Sequence, residues 1–294
     1  MRLGVHVSIS GSLDMAVDRA IERNCNTFQL FTRNPRGWKF KDLEKDKVEK
    51  FLLKVEESNI NPVIDHMPYL PNLASPKNDV YNKSIMTLCA EVKRCEVLKI
   101  PYLVLHLGSH LGVGKKEGRE RLTDALEKAL DLKVDGLMLL LENMAGAKNS
   151  MGSTFPDISE IIDDLKGNQT RIGMCFDTCH AFAAGYDLRT YETVEDTMKK
   201  LDDVIGIERL KVVHLNDSKG DLGCGLDRHE HIGVGKIGEE GFKHLLRHPV
   251  IKDKPLILET PIDKKGDDFR DLERTIKLYK EANSTSSAKS IRKV

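Results

Sequence analysis

The stretch 137–177 decides the fold. It opens with Leu137-Met-Leu-Leu-Leu-Glu142, runs through the segment Pro156–Leu165, and closes with Ile172-Gly-Met-Cys-Phe-Asp177. The two flanking runs have ordinary strand length. Both are apolar on consecutive residues, the pattern of a parallel strand buried on its two faces. The middle segment carries a helical pattern. Strand, helix and strand form one βαβ unit, and both strands end on a carboxylate.

The unit recurs outward in both directions. Strand-type runs at Leu3–Val7, Thr27–Phe31, Pro62–His66 and Tyr102–His106 precede it, and Leu210–His214 and Pro255–Glu259 follow. Between them, Leu13, Ala16, Val17, Ala20 and Ile21 keep helical spacing, with Ser12 as the expected N-cap. Further helical patterns cover Asp42–Glu57, Asn78–Leu98, Gly118–Leu130, Thr190–Val204, Glu239–Leu246 and Asp268–Glu281. Eight strands, each followed by a helix, are the count of an α/β (β/α)8 TIM barrel. A doubly wound sheet is the competing arrangement. No Pro/Gly/Ser-rich linker divides the chain, so one barrel domain is expected over residues 1–283. The stretch 284–294 is small, polar and basic, and is expected to be a disordered tail.

Composition limits the class. The chain has 294 residues, 40% hydrophobic and 31% charged, with 46 Lys+Arg against 46 Asp+Glu. That balance suits a folded protein rather than a disordered one. No apolar run reaches the ~18–20 residues of a membrane span, and the first residues lack a signal-peptide pattern. An intracellular location is therefore expected: cytoplasmic, and nucleoid-associated in a prokaryote. Cys25, Cys89, Cys95, Cys175, Cys179 and Cys224 are expected to be free thiols. Zero net charge makes no global case for a nucleic-acid partner, so any such partner must be argued locally.

Seven of the eight strand runs end in metal-type residues: His6, His66, His106, Glu142, Asp177, His214 and Glu259. In a barrel all C-terminal strand ends meet at one face. A single histidine ending a strand is ordinarily a core or rim residue. A whole set of buried carboxylates and imidazoles without a cation would cost several kcal/mol each. The residue types suit a borderline divalent metal. His6 is the weakest member. His180 stands three residues after Asp177 in what reads as one loop. Asp227 and His229 are two apart and share a face on an extended segment. The total exceeds what one tetrahedral zinc needs, so more than one metal is implied, as in phosphoester hydrolases.

Other motifs are decoys. Gly233-Val-Gly-Lys-Ile-Gly238 matches G-x-G-x-x-G, but no strand precedes it. Gly112-Val-Gly-Lys-Lys116 lacks P-loop spacing. Cys175 and Cys179 read as packing thiols, and His244 and His248 as surface residues. The segment Arg33-Asn-Pro-Arg-Gly-Trp-Lys-Phe-Lys41 carries four positive charges, no acid and the only Trp. Cations with an exposed aromatic suit a phosphate backbone and base stacking. After His66, Tyr69 and Leu70 could form a wedge into a distorted duplex or could simply be loop packing.

With these residues in place, the sequence resembles the endonuclease IV family of apurinic/apyrimidinic DNA-repair nucleases. The likeness runs from about Leu3 to Glu281. It rests on Gly4-Val-His-Val-Ser8, Leu30-Phe-Thr-Arg-Asn34, His66 with Pro68-Tyr-Leu70, His106-Leu-Gly-Ser-His110, Leu141-Glu-Asn143, Phe176-Asp-Thr-Cys-His-Ala-Phe-Ala-Ala-Gly-Tyr-Asp187, His214-Leu-Asn-Asp-Ser-Lys219, Asp227-Arg-His-Glu-His-Ile-Gly-Val-Gly235 and Leu258-Glu-Thr-Pro261. Gly37, Met144 and Ala147-Lys148 depart from the usual pattern, and none of them is a ligand.

The resemblance implies three zinc ions per chain. His66, His106 and Glu142 would hold the first. Glu142, Asp177, His214 and Glu259 would hold the second, with Glu142 bridging and catalytically essential. His180, Asp227 and His229 would hold the third. Arg36, Tyr69 and Leu70 would enter duplex DNA at an abasic site. The implied reaction is hydrolysis of the phosphodiester 5′ to that site, leaving a 3′-hydroxyl and a 5′-deoxyribose phosphate. The implied enzyme acts as a monomer. Two other readings stay open: a metal-dependent sugar isomerase on the same barrel, and a non-catalytic binder of damaged DNA.

Overall fold

The architecture follows from the strand runs. In a computed structural model, which describes residues 1–290 and side chains through 284, they become β1 Arg2–Val7, β2 Phe28–Leu30, β3 Val63–His66, β4 Tyr102–Leu105, β5 Met138–Glu142, β6 Ile172–Asp177, β7 Leu210–His214, the short β8 Asp217–Ser218 and β9 His229–Glu230, and β10 Pro255–Leu258. All but β8 and β9 close a parallel barrel in the order β1-β10-β7-β6-β5-β4-β3-β2. The doubly wound alternative is thereby excluded. β8 and β9 pair antiparallel above the barrel, with Ser218 opposite His229.

The helices are α1 Met15–Glu22, α2 Lys45–Ser58, α3 Asn78–Leu98, α4 Lys115–Leu130, α5 Phe155–Asp164, α6 Thr178–Ala183, α7 Tyr191–Ile205, α8 Gly238–Arg247, α9 Pro249–Lys252 and α10 Asp268–Ser290. Their buried faces and the outer faces of the strands form the main core, including Phe28, Leu105, Leu141, Phe176 and Leu258. Each such fully buried side chain stabilises the fold by about 1.5–3 kcal/mol. Thr190 caps α7, accepting from Thr193 N. Ser12 does not cap α1. The N-cap is Asp14, in helical φ/ψ, and the Ser12 hydroxyl donates to its carboxylate at 2.5 Å. The last helix enters the stretch for which a disordered tail is expected, and residues 291–294 lie outside the described ones. Among the described residues no helix is long and apolar enough to cross a membrane. The six cysteines are unpaired.

A second, smaller cluster fills the barrel interior: Ile64, Val104, Leu140, Cys175, Val212 and Ile257. This layer positions the site. Strand side chains repeat on one face every second residue. Two positions beyond each member stand His66, His106, Glu142, Asp177, His214 and Glu259. Parallel register sets Asp177 opposite His214 but Glu142 opposite Cys175, so the six are staggered around the barrel within reach of one another. The apolar layer is the floor on which the next inward-facing layer sits.

Candidate metal centre

Glu142 is the hub. Its Oε2 lies 3.2 Å from both His66 Nε2 and His106 Nε2, and its Oε1 lies 3.1 Å from His214 Nδ1. One carboxylate thus faces two separate donor sets. His66, His106 and Glu142 converge as one group, and Glu142, Asp177, His214 and Glu259 as another. Glu142, Asp177 and His214 are completely buried.

The third set comes from α6 and the β8/β9 hairpin. Sequence reading treats residues 177–180 as loop, but they start a helix. Asp177 is its N-cap, and Asp177 Oδ1 accepts from His180 N at 2.7 Å. This helical turn carries His180 Nε2 to 3.2 Å from Asp227 Oδ1, in the segment joining β8 and β9. There His180, Asp227 and His229 form a group. Extended backbone at β9 presents His229, as the two-residue spacing implies. Cys179, completely buried, also comes within reach of Asp177 and His229.

The electrostatics are those of a cation site. Burial pushes the Glu142 carboxyl up, but His214, His106 and His180 outweigh it and hold it well below the usual range. Glu259 behaves alike through His214 and His6. Burial lowers His180, yet Asp177, Asp227 and Glu142 raise it well above an ordinary histidine. His180 Nε2 and His229 Nε2 are buried without a hydrogen-bond partner. Orphaned nitrogens aimed at a shared carboxylate, in a nest of acids, fit a divalent metal with N/O ligands.

Neighbouring residues hold the candidate donors in place. His66 Nδ1 meets Met67 O at 2.7 Å, His180 Nδ1 meets Asn143 O at 3.0 Å, and His229 Nδ1 meets Glu259 O at 3.1 Å. Asn216 Nδ2 donates to Asp177 Oδ2 at 2.7 Å, while its Oδ1 accepts from Glu259 N at 2.8 Å. Gln29, completely buried, reaches His214, Glu259 and His6. Sequence reasoning assigns no role to Gln29, Asn143 or Asn216. The two asparagines lie inside quoted motifs, whereas Gln29 gives no signal except its place on a strand with no His, Asp or Glu end. His6 sits beside the second set, with Nδ1 3.7 Å from Glu259, and joins no donor group.

The basic loop is smaller than its sequence suggests. Arg33 is buried (4% exposed) and its Nε lies 2.7 Å from Glu91 of α3. The contact is a charge pair without aligned hydrogen bonds. Arg36, Lys39 and Lys41 remain exposed, and Trp38 is half-buried with Lys83 above its ring. Arg36 lines a cavity of about 670 Å3 that extends to His6 and Phe31. Tyr69 and Leu70 are 57% and 43% exposed. The Tyr69 ring lies 5.6 Å from that of His66 and 5.5 Å from that of His106.

Two further residues are resolved. The Gly233–Gly238 run wraps an internal carboxylate: Asp217 accepts from the amides of Gly235, Ile237 and Gly238 at 2.9, 3.0 and 3.3 Å. A Cβ at Gly235 would lie 2.4 Å from Ser218 O, which explains the glycine. Those amides are not free for a phosphate. His248, expected at the surface, is buried because its Nδ1 caps α9, accepting from Val250 N at 3.3 Å.

Comparison with known proteins adds lineage to this geometry. The family model described as xylose isomerase-like TIM barrel matches residues 17–283. The probable endonuclease 4 of Methanoculleus marisnigri is 56% identical over 267 residues, 90% of this chain and 94% of that protein. Endonuclease IV from Thermus thermophilus superposes with a TM-score of 0.84 at 33% identity, covering 97% of this chain and all (100%) of the other. A D-tagatose 3-epimerase-like protein shares the fold, with a TM-score of 0.72 at 22% identity over 99% of this chain and 100% of that one.

Proposed function

The chain belongs to the endonuclease IV family, within the xylose isomerase-like TIM barrels, and from that premise we propose that it is a zinc-dependent DNA-repair endonuclease. Its substrate is duplex DNA containing an abasic site, bound by a monomer. It hydrolyses the phosphodiester 5′ to that site, leaving a 3′-hydroxyl and a 5′-deoxyribose phosphate. The observation that carries the reading is Glu142, whose two oxygens face two different donor sets while a third set converges on Asp227.

His66, His106 and Glu142 would hold one zinc; Glu142, Asp177, His214 and Glu259 a second; His180, Asp227 and His229 a third. Bound there, zinc would supply Lewis-acid charge to the phosphate and lower the pKa of water toward about 7. The chain's own residues deliver the phosphate. Arg36, Lys39 and Lys41 give the DNA backbone a cationic ledge. Tyr69 and Leu70 project as an apolar wedge that fills the duplex where a base is missing. Flipping the abasic nucleotide costs least there, because no base is stacked or paired. Since the Tyr69 ring lies against His66 and His106, a strand parted by that wedge is delivered directly over the first donor set. No side chain acts as nucleophile; Glu142 orients both neighbouring sets.

A synthetic duplex with one abasic analogue tests this. The wild type should nick it 5′ to the lesion, carry about three zinc per chain by four-ligand logic, and lose nicking on Glu142→Ala. Nicking untouched by Glu142→Ala, or sugar isomerisation without nicking, overturns the proposal.

A further inference from the structure

Four histidines of the donor sets have their outer nitrogen accounted for, and one differs in kind. For His66, His180 and His229 the partner is a backbone carbonyl. For His214 it is a side chain: Nε2 lies 2.8 Å from Gln29 Oε1. A carbonyl that the backbone supplies cannot be removed by substitution, whereas this one can.

The Gln29 amide has only one workable orientation. Its Nε2 donates to Glu259 Oε1 at 2.7 Å and lies 3.0 Å from His6 Nδ1. Reversing the amide would press its oxygen against a carboxylate. With the NH2 fixed on Glu259, the oxygen must accept the Nε2–H of His214. That choice leaves the Nδ1 lone pair of His214 facing Glu142 and Glu259, 3.1 and 3.2 Å away. It also ties down one oxygen of Glu259 and leaves Oε2 for the centre. Gln29 touches two members of the second donor set and no member of the other two.

We propose that Gln29 is a positioning residue that fixes the tautomer of His214 and the free oxygen of Glu259, and so sets the occupancy of the second metal position. The assignment rests on the zinc reading above. Outer partners of ligating histidines typically control metal affinity by 10–100-fold.

The test titrates zinc-loaded protein with a competing chelator and counts zinc per chain. Gln29→Met, close in volume and without hydrogen bonds, should release one zinc at about 10- to 100-fold lower chelator activity than wild type. The other zinc ions should leave at unchanged chelator activity. Equal resistance of all sites in wild type and Gln29→Met overturns the role of Gln29 and leaves the zinc centre standing. A wild type that holds no zinc overturns the centre, and this assignment with it. If Gln29→Met does not fold, histidine-side-chain NMR of the zinc-loaded wild type decides. His214 should carry its proton on Nε2, and a proton on Nδ1 overturns the proposal.

Discussion

His180 Nε2 lies 3.2 Å from Asp227 Oδ1 and makes no hydrogen bond with it. His229 Nε2 approaches the same oxygen to 3.4 Å with the same result. Three groups converge at bonding distance without bonding one another, as ligands around a common cation do. Asp227→Asn removes the only carboxylate of that group. The variant should bind one zinc fewer than wild type, and nicking should fall by about two orders of magnitude. Metal analysis beside a nicking assay measures both, and a full zinc complement in the variant would count against the third position.

Tyr69 and Leu70 are exposed apolar side chains in the loop after β3, and neither belongs to the buried core. Truncating both to Ala should therefore leave thermal stability within about 0.5 kcal/mol. Affinity for an abasic duplex should fall by about 10-fold or more, since stacked aromatics contribute about 1–3 kcal/mol each. Binding to undamaged duplex should change little. An equal loss on both duplexes would reassign these residues to general backbone contact.

The loop bearing Arg36 is gripped by α3 at both ends. Arg94 Nε donates to Thr32 Oγ1 at 2.9 Å, and Arg94 Nη1 to Lys41 O at 3.1 Å. Arg94 Nη2 also donates to Thr32 O, and Arg94→Met keeps the stem volume while losing all three hydrogen bonds. The KM for abasic duplex should rise about tenfold, equivalent to about 1.4 kcal/mol, with kcat nearly unchanged. A fall in kcat at constant KM would place Arg94 in the chemistry instead.

Asp14 offers a pH test remote from the metal centre. Lys54 at 2.8 Å, then the Ser12 hydroxyl, hold its carboxyl below the usual range. A folded pKa below the unfolded value stabilises above the unfolded pKa, about 3.9. That stability is lost as pH falls through the folded pKa. Asp14→Asn should be less stable than wild type by about 0.5–1 kcal/mol at pH 7. Denaturant melts should show the gap closing on acidification below pH about 4. A gap independent of pH would assign the effect to helix packing rather than to charge.

Much of the site is legible in the sequence because strand ends are local features. An apolar run stopping at Glu142 or Asp177 marks both the strand and the candidate donor, and the period-two floor beneath them follows from the same runs. The basic segment is less legible. Charge counting cannot tell Arg33, drawn inward by Glu91 on a distant helix, from Arg36, which faces solvent. His248 and Ser12 fail for a related reason: capping depends on backbone angles at one residue.

The sequence by itself determined the repeating strand–helix units and the metal-type residues at their ends, since these follow from periodicity and residue chemistry, whereas closure into a barrel was decided by strand pairing. Periodicity does not divide those residues into sets; the tertiary structure shows which of their atoms come together. Which Glu142 oxygen meets which imidazoles depends on strand register across the barrel. The same register brings Gln29 against His214, 185 positions away in sequence. Side-chain contacts across a closed sheet depend on relative position in space, and no one-dimensional pattern records it.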